Sequence, residues 1–205
     1  MTVRLHDYLP SGNGYKVRLL MTQLGIPFER IEYDVNRGET RTPEFLQVVN
    51  ANGRIPVLET ETGEFLPESN AILFYLAEGT PYLPEDRFGK AQALRWMFFE
   101  QYNHEPNIAV ARAWLHVFDT EMTEERRGAL AVKQKLGYAA LGVMEKHLEG
   151  RQFFVGGQFS VADIALYAYT HVADEGGFDL EDFPAVRAWL ERVSSQPGYI
   201  PITRG

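Results

Sequence analysis

The chain of 205 residues contains no cysteine. This absence excludes a disulfide framework, a zinc site with thiolate ligands, a catalytic cysteine and a Cys-x-x-Cys redox pair. Any thiol chemistry in which the chain takes part must therefore use a thiol from another molecule. Positive charge is also scarce, since 20 Lys and Arg stand against 28 Asp and Glu, for a formal net charge of -8. This sign is unsuited to holding a phosphate backbone, so we expect no nucleic-acid partner.

Long apolar runs are missing as well. The longest one covers residues 71–77, far short of the roughly 20 residues that cross a bilayer. Residues 1–7 include the charged Arg4 and lack the apolar centre of a secretory signal. We therefore expect a cytoplasmic protein with no membrane partner.

The first third of the chain alternates between strand and helix patterns. Residues 3–8 predict a strand and residues 9–14, rich in Gly, Pro and Asn, predict a loop. Apolar residues at positions 17, 20, 21 and 24 then predict a helix, and residues 28–35 predict a second strand. A helical crossover of this length favours parallel pairing of the two strands in a βαβ unit.

A weak helix is predicted next, over residues 43–49. Two short strands at residues 55–59 and 64–66 are close enough to form a hairpin, and a third helix follows Pro67. The order βαβ, helix, ββα predicts an α/β domain over residues 1–78.

Helical periodicity alone remains in the second part of the chain, where glycine and proline thin out. We predict a linker over residues 79–87 and an all-helical domain over residues 88–205. No strand alternation is found there. The two parts together predict a small α/β domain followed by a larger all-α domain.

One local motif in the helical part marks the start of a helix. Ser160 and Asp163 stand at the N-cap and N3 positions of a capping box, with Phe159 and Ile164 placed as a hydrophobic staple. We interpret this motif as a folding signal. His171 lies on the apolar face of the helix that follows, and we interpret it as a core histidine rather than a ligand.

The first polar groups that could bind a ligand or take part in catalysis lie in the loop Pro10-Ser11-Gly12-Asn13-Gly14. The loop joins a strand end to a helix start, where open α/β sheets bind ligands. Val17 replaces the third glycine that a G-x-G-x-x-G dinucleotide loop would need. A hydroxyl, a carboxamide and the N–H groups of a helix start suit a small anion, although the two side chains could equally turn and cap the chain.

Two further segments contain groups that could bind a ligand. Glu68 and Ser69 open the third helix, where they could hold the ammonium and carboxylate ends of an α-amino acid, or form an ordinary acidic helix start. Arg54-Ile55-Pro56-Val57 precedes the hairpin. A proline there is compatible with a cis peptide bond and with a backbone N–H and C=O exposed to a ligand.

Taken in this order, the serine loop, the Ile-Pro-Val-Leu run, the Glu-Ser pair and the Ser-x-x-Asp box resemble the cytosolic glutathione S-transferases over nearly the whole chain. The loop is similar to that of bacterial members with a Ser/Thr-x-Asn-Gly pattern. The resemblance implies a thioredoxin-like domain followed by an all-helical domain, usually as a homodimer. It implies glutathione as co-substrate, no tightly bound cofactor, no metal and a role in detoxification.

The resemblance also implies roles for individual residues in holding glutathione. Ser11 corresponds to the group that holds the sulfur, and Asn13 to an asparagine used beside it or instead of it. Ile55 would pair its backbone with the cysteinyl part, Pro56 would be cis, and the γ-glutamyl end would be bound by Glu68 with Ser69.

Other roles stay open. Arg41 and Arg54 are candidates for the basic residue that meets the glycyl carboxylate in the family. Tyr8 lies near the phenol of tyrosine-type members, but its spacing to the first helix favours Ser11. The second-substrate pocket of the family corresponds to Tyr102, Asn103 and His104, with further wall from Phe99, Arg112 and Trp114.

The expected reaction is attack of the glutathione thiolate on an apolar electrophile. Lowering a thiol pKa from about 8.5 to about 6.5 requires roughly 2.7 kcal/mol. A hydrogen bond to a charged group supplies about 1.5 to 3 kcal/mol, and a helix N-terminus adds roughly 0.3 to 1 kcal/mol. The loop can therefore activate the nucleophile. A glutathione-dependent disulfide or peroxide reductase and a non-catalytic carrier or scaffold are the alternatives.

Overall fold

The computed structural model describes residues 2–118 and 120–205. The chain divides into two compact units, one of Met1–Glu78 with Pro197–Gly205 and the other of Gly79–Gln196. The sequence placed the C-terminal residues in the helical domain, whereas the structure groups them with the first unit.

A four-stranded mixed sheet forms the centre of the first unit. Its strands are β1 (Val3–Asp7), β2 (Phe28–Glu32), β3 (Val57–Glu59) and β4 (Phe65–Pro67). The spatial order is β2-β1-β3-β4, with β1 parallel to β2 and antiparallel to β3, and with β3 antiparallel to β4. The βαβ unit and the hairpin are therefore confirmed, and the domain has the thioredoxin-like fold expected for it.

Helix α1 (Gly12–Leu24) joins β1 to β2, and helix α2 (Ser69–Ala77) follows β4. The prediction of a loop up to residue 14 was wrong, because Ser11 is the N-cap and α1 starts at the next residue. Glycine and asparagine are tolerated there since the first turn leaves its N–H groups open in any case.

Two further predictions in this unit need correction. Strand β2 ends at Glu32 rather than at residue 35. The weak helix predicted over residues 43–49 coincides with a helical turn that is mostly π-helical, Phe45–Val49, and a 3₁₀ turn, Glu39–Arg41, precedes it. Neither turn is a regular α-helix, and the sequence pattern there was correspondingly weak.

The core of the first unit lies between the sheet and the two helices. Its buried apolar side chains are Leu5, Val17, Met21, Leu58 and Ile72. Full burial of a side chain of this size contributes about 1.5–3 kcal/mol, so this cluster sets how α1 and α2 lie on the sheet.

Helices make up the second unit, as the sequence predicted. They are α3 (Arg87–Phe99), α4 (Glu105–Arg112), α5 (Glu124–Leu148), α6 (Val161–Thr170) and α7 (Pro184–Ser194). π-helical turns follow α3 and α4, at Glu100–His104 and Ala113–Val117. Every residue of α6 is buried, so this helix is the centre around which the unit packs.

The predicted capping box of α6 is present. One carboxylate oxygen of Asp163, Oδ2, accepts from Ser160 N and Ser160 Oγ at 3.0 Å each. The other oxygen, Oδ1, accepts from Phe154 N at 3.1 Å and Trp189 Nε1 at 2.9 Å. The motif therefore ties α6 to α7 and to the segment before it, which makes it the folding signal that we expected.

His171 is half-buried at the C-cap of α6, with the contacts expected of a structural histidine. Its Nδ1 lies 2.8 Å from the Tyr167 carbonyl oxygen, and its ring stacks on the Tyr167 ring with centroids 4.5 Å apart. Burial lowers the pKa of His171 to about 4. A neutral, stacked imidazole is what a core histidine requires.

Candidate functional site

The segments singled out in the sequence meet at one edge of the sheet. His6 lies opposite Val57, and Val57 lies opposite Pro67. The end of β1, the start of β3 and the end of β4 are therefore side by side. As a result, the serine loop, the residues before the hairpin and the start of α2 are neighbours in the first unit.

Ser11 lies at this edge as the N-cap of α1. Its Oγ accepts a hydrogen bond from Gly14 N at 3.2 Å, and its backbone N–H donates to the Tyr8 carbonyl at 2.8 Å. Among the residues described, the Ser11 side chain makes this one hydrogen bond, as acceptor. The N3 residue is Gly14, which has no side chain that could take the hydroxyl hydrogen. A half-buried hydroxyl donor at a helix N-terminus is suited to an anion.

Asn13 is the second polar group of the loop, and its amide oxygen is held from two sides. Asn13 Oδ1 accepts from Lys16 Nζ at 2.8 Å and from Ser69 Oγ at 3.2 Å. Lys16 Nζ also lies 3.4 Å from Ser69 Oγ. These three side chains join the first turn of α1 to the first turn of α2.

Lys16 was not among the site residues predicted from the sequence, and the structure shows that its side chain is fully buried. The available signal was its i, i+3 spacing from Asn13, which makes the two residues neighbours on a helix. Its position in the apolar stretch of α1 hid that signal, since a lysine there suggests a solvent-exposed face.

The position of the loop depends on a buried ion pair between Asp7, at the end of β1, and Arg18 of α1. Arg18 also donates to the Leu9 carbonyl at 2.9 Å. Burial raises the pKa of the Asp7 carboxyl, and the Arg18 guanidinium opposes that shift. A Cβ at Gly14 would overlap the Asp7 carboxylate, so α1 reaches the end of β1 only because residue 14 is glycine.

The C-terminal segment is anchored to the same helix. Tyr15 donates its hydroxyl hydrogen to the Ile200 carbonyl at 2.7 Å, and Arg18 donates to the Ile202 carbonyl at 2.9 Å. Both side chains are fully buried. These bonds explain why the C-terminal residues group with the first unit.

Residues 54–56 lie directly before β3. The Ile55–Pro56 peptide bond is cis, as the family resemblance implied. The Arg54 side chain is exposed, and its carbonyl accepts from Asn50 Nδ2 at 2.9 Å. Arg41 donates to the Asn52 carbonyl at 3.0 Å, so it supports the turn that carries Arg54.

Glu68 has an unusual backbone. Its φ of 73° makes it the one non-glycine residue with positive φ in the described part of the chain. Such a conformation costs about 1–3 kcal/mol and occurs most often at functional sites. The Glu68 carbonyl accepts from Ile72 N at 2.9 Å, and the exposed side chain stands where α2 begins.

The three residues predicted for a second-substrate pocket lie in the π-helical turn after α3. Tyr102 is 81% exposed and Asn103 is also exposed. His104 is fully buried, with Nε2 2.8 Å from Thr170 Oγ1. The wall role predicted for His104 needs surface that this side chain does not expose, because it packs inside the helical unit.

The further residues predicted to line the pocket also differ in how far their side chains are exposed. Arg112 is 5% exposed, and its Nε lies 2.5 Å from Glu175 Oε2. The guanidinium is therefore paired with Glu175 inside the helical unit, and removing either partner would leave a buried charge uncompensated. Phe99 and Trp114 are half-buried.

In the part of the chain that the structure describes, no cluster of three or more His, Asp and Glu is arranged to hold a metal ion. None of the described helices is long and apolar enough to span a membrane.

Comparison with known proteins gives matches over most of the chain. Residues 1–78 match the family profile "Glutathione S-transferase, N-terminal domain", and residues 107–197 match "Glutathione S-transferase, C-terminal domain". A structure described as a possible glutathione S-transferase from Rhodopseudomonas palustris is 49% identical, with a TM-score of 0.96 and full coverage of both chains.

Two more distant matches bear on function. The disulfide-bond oxidoreductase YfcG of Escherichia coli is 29% identical over 93% of this chain and 89% of its own length. The structure of Ure2p, a yeast protein, in complex with glutathione is 26% identical, with a TM-score of 0.87 over 100% of this chain and 93% of that chain.

Proposed function

Because the chain belongs to the glutathione S-transferase family, we propose that its first unit binds glutathione and that Ser11 and Asn13 stabilise the thiol as a thiolate. The thiolate sulfur would then form a bond to an apolar electrophile. With a halogenated aromatic compound, the carbon–halogen bond breaks, halide leaves, and the thiol proton goes to solvent.

The observation that carries this proposal is the Ser11 hydroxyl. It caps α1 through one of its lone pairs, and within the described residues no side chain takes its hydrogen. A donor in that position can hydrogen-bond a thiolate, which favours the charged form of the thiol. The chain supplies no thiol of its own, so the activated sulfur belongs to the co-substrate.

The remaining parts of glutathione are assigned along the same edge of the sheet. We assign the cysteinyl backbone to Ile55, beside the cis Pro56, and the γ-glutamyl end to Glu68 and Ser69. The glycyl carboxylate is assigned to Arg54, which is exposed, while Arg41 supports the turn beneath it. The complex of Ure2p with glutathione supports a glutathione site on this fold.

The test is a pH titration of the thiolate absorbance of glutathione mixed with excess protein. We expect the bound thiol to titrate at about 6.5, compared with about 8.5 for an unperturbed thiol. Binding with an unshifted thiol would contradict activation and favour a carrier. No binding would remove glutathione from the function altogether.

A disulfide reductase is the second candidate, supported by the similarity to YfcG. In that reaction two glutathione molecules reduce one disulfide, which yields two thiols and oxidised glutathione. The thiolate of the first glutathione attacks the substrate disulfide, and the second glutathione resolves the mixed disulfide. Turnover of a small aliphatic disulfide and of a halogenated nitrobenzene, measured on the same preparation, separates the two reactions.

Tyr102 and Asn103 are the residues that we propose for binding the electrophile, because both side chains are exposed. The family resemblance also supports a cytoplasmic homodimer with a role in detoxification. Light scattering on the purified chain tests the dimer, and a monomeric mass at micromolar concentration would contradict it.

A further inference from the structure

The buried ammonium of Lys16 has no part in the function proposed so far. Lys16 is fully buried on α1, yet two of its contacts are the neutral oxygens of Asn13 and Ser69, at 2.8 and 3.4 Å. Burying a lysine is costly unless its charge and its donors are used. Its contacts point to the carboxamide of Asn13.

An asparagine amide has one acceptor end and one donor end in a single plane. Lys16 Nζ and Ser69 Oγ both donate to the acceptor end of Asn13, Oδ1. Holding Oδ1 fixes the direction in which Nδ2 donates. If the amide were flipped, Nδ2 would face the Lys16 ammonium. Both groups are hydrogen-bond donors, so this orientation is unfavourable.

We propose that Lys16 is a positioning residue that orients the Asn13 amide so that its N–H donor, rather than its oxygen, faces the glutathione sulfur. This inference rests on the proposed function, because it concerns the same sulfur site. Lys16 acts through Asn13 and does not contact the sulfur itself. Ser69 completes the arrangement by donating its hydroxyl hydrogen to Asn13 Oδ1, which leaves its backbone N–H at the start of α2 for the γ-glutamyl carboxylate.

A double-mutant cycle tests the proposal on the full chain. The variants are Lys16→Met, Asn13→Ala and the double variant, and the readouts are the dissociation constant for glutathione and the pKa of the bound thiol. We expect Asn13→Ala to raise that pKa by about one unit, because a charge-assisted hydrogen bond is lost. Lys16→Met should raise it by a similar amount, and the double variant by no more than Asn13→Ala.

Two results would overturn the proposal. Additive shifts in the double variant would mean that Lys16 acts on the thiolate directly as a charge. Weaker glutathione binding in Lys16→Met with an unchanged thiol pKa would make Lys16 a ligand of the γ-glutamyl carboxylate. Lys135→Met, at an exposed position of α5, is the matched control and should change neither readout.

Asn13→Asp gives a second test that does not depend on removing Lys16. This variant keeps an acceptor for Lys16 and loses the N–H donor, so the bound thiol pKa should rise at least as far as in Asn13→Ala. An unchanged pKa would show that Asn13 does not donate to the sulfur, and the proposal would fall. If the unmodified protein shifts no thiol at all, the proposed function fails first, and the two failures are thereby distinguished.

Discussion

Among the helices that the structure describes, α1 and α6 both begin at a serine N-cap, and the two serines use their hydroxyl hydrogens differently. In α6, Ser160 donates its hydroxyl hydrogen to Asp163 at N3, and the same carboxylate also takes the Ser160 N–H. In α1, the N3 residue is Gly14, so Ser11 accepts a hydrogen bond and keeps its hydrogen for another partner. One residue type in one structural position therefore serves folding in one unit and is available for chemistry in the other.

The residue at N3 decides between these outcomes. An acid at N3 of α1 would take the Ser11 hydroxyl hydrogen and place a negative charge beside the expected thiolate. Glycine avoids both effects and lets α1 approach Asp7.

The largest effect is expected for Asp163→Ala. Four hydrogen bonds to the buried carboxylate are lost, which leaves Phe154 N and Trp189 Nε1 among the donors without acceptors. We expect a loss of about 3 kcal/mol in the free energy of unfolding, because each buried donor left unpaired costs about 1–3 kcal/mol. Urea unfolding followed by tryptophan fluorescence measures it. Asp182→Ala, at an exposed position, is the control, and an equal loss there would refute the explanation.

The same carboxylate predicts a pH dependence. Burial raises the pKa of Asp163 to about 6, although hydrogen bonds from Trp189, Phe154 and Ser160 oppose the shift. The folded state therefore binds more protons than the unfolded state between about pH 4 and 6, so this group's contribution to stability falls as the pH rises through that window.

We expect the stability lost in Asp163→Ala to be larger at pH 4 than at pH 7, by about 2 kcal/mol, because most of a shift of about two units is expressed at pH 4. The measurement is the difference in unfolding free energy between the two proteins across this range. A difference that grows with rising pH would contradict the raised pKa.

Gly14→Ala changes the other cap. The added Cβ would overlap the Asp7 carboxylate and force it away from Arg18. We expect a loss of about 2 kcal/mol, in the range for overpacking a filled core. Gly142→Ala, in α5, has nothing within 4 Å of the new Cβ and should stabilise by about 0.5–1 kcal/mol. Circular dichroism during urea unfolding compares the two variants, and equal effects would exclude the steric explanation.

The smallest change in free energy is expected when each of the two serines is replaced by alanine in a separate variant. These variants test the roles of the two hydroxyl groups most directly. Ser11→Ala should raise the pKa of the bound thiol by about one unit and lower turnover about tenfold, which corresponds to the loss of about 1.4 kcal/mol. Ser160→Ala should leave the thiol pKa unchanged and lower stability by about 1–2 kcal/mol.

An unchanged pKa of the bound thiol in Ser11→Ala would show that the Ser11 hydroxyl does not stabilise the thiolate. In that case Asn13 or the backbone N–H groups would be the stabilising donors.

Much of this structure could be predicted from local patterns. The capping box of α6 was found because its partners lie within one helical turn, and the hairpin and βαβ unit were found because periodicity and turn residues are local as well. The start of α1 was missed, since Gly12 and Gly14 suggested a loop until the cap at Ser11 was seen.

Part of the proposed glutathione site could be predicted because it consists of local sequence motifs. Ser11, Asn13, Glu68 and Ser69 lie in segments that each carry a local motif. Lys16 meets Ser69 across 53 positions of the chain, and no local pattern reports that contact. The burial of His104 was likewise not predicted, and its contact with Thr170 joins residues 66 positions apart.

Residue types and their local spacing specify the order of strands and helices, the absence of a protein thiol and the capping box that starts α6. These depend on residue type and on spacing within one turn or one hairpin. Packing of distant segments places Asn13, Lys16 and Ser69 together at the first turns of α1 and α2. Packing also brings the C-terminal segment to Tyr15 and Arg18. Such contacts join residues far apart in the chain, so they depend on sheet register and on how the core fixes the helices.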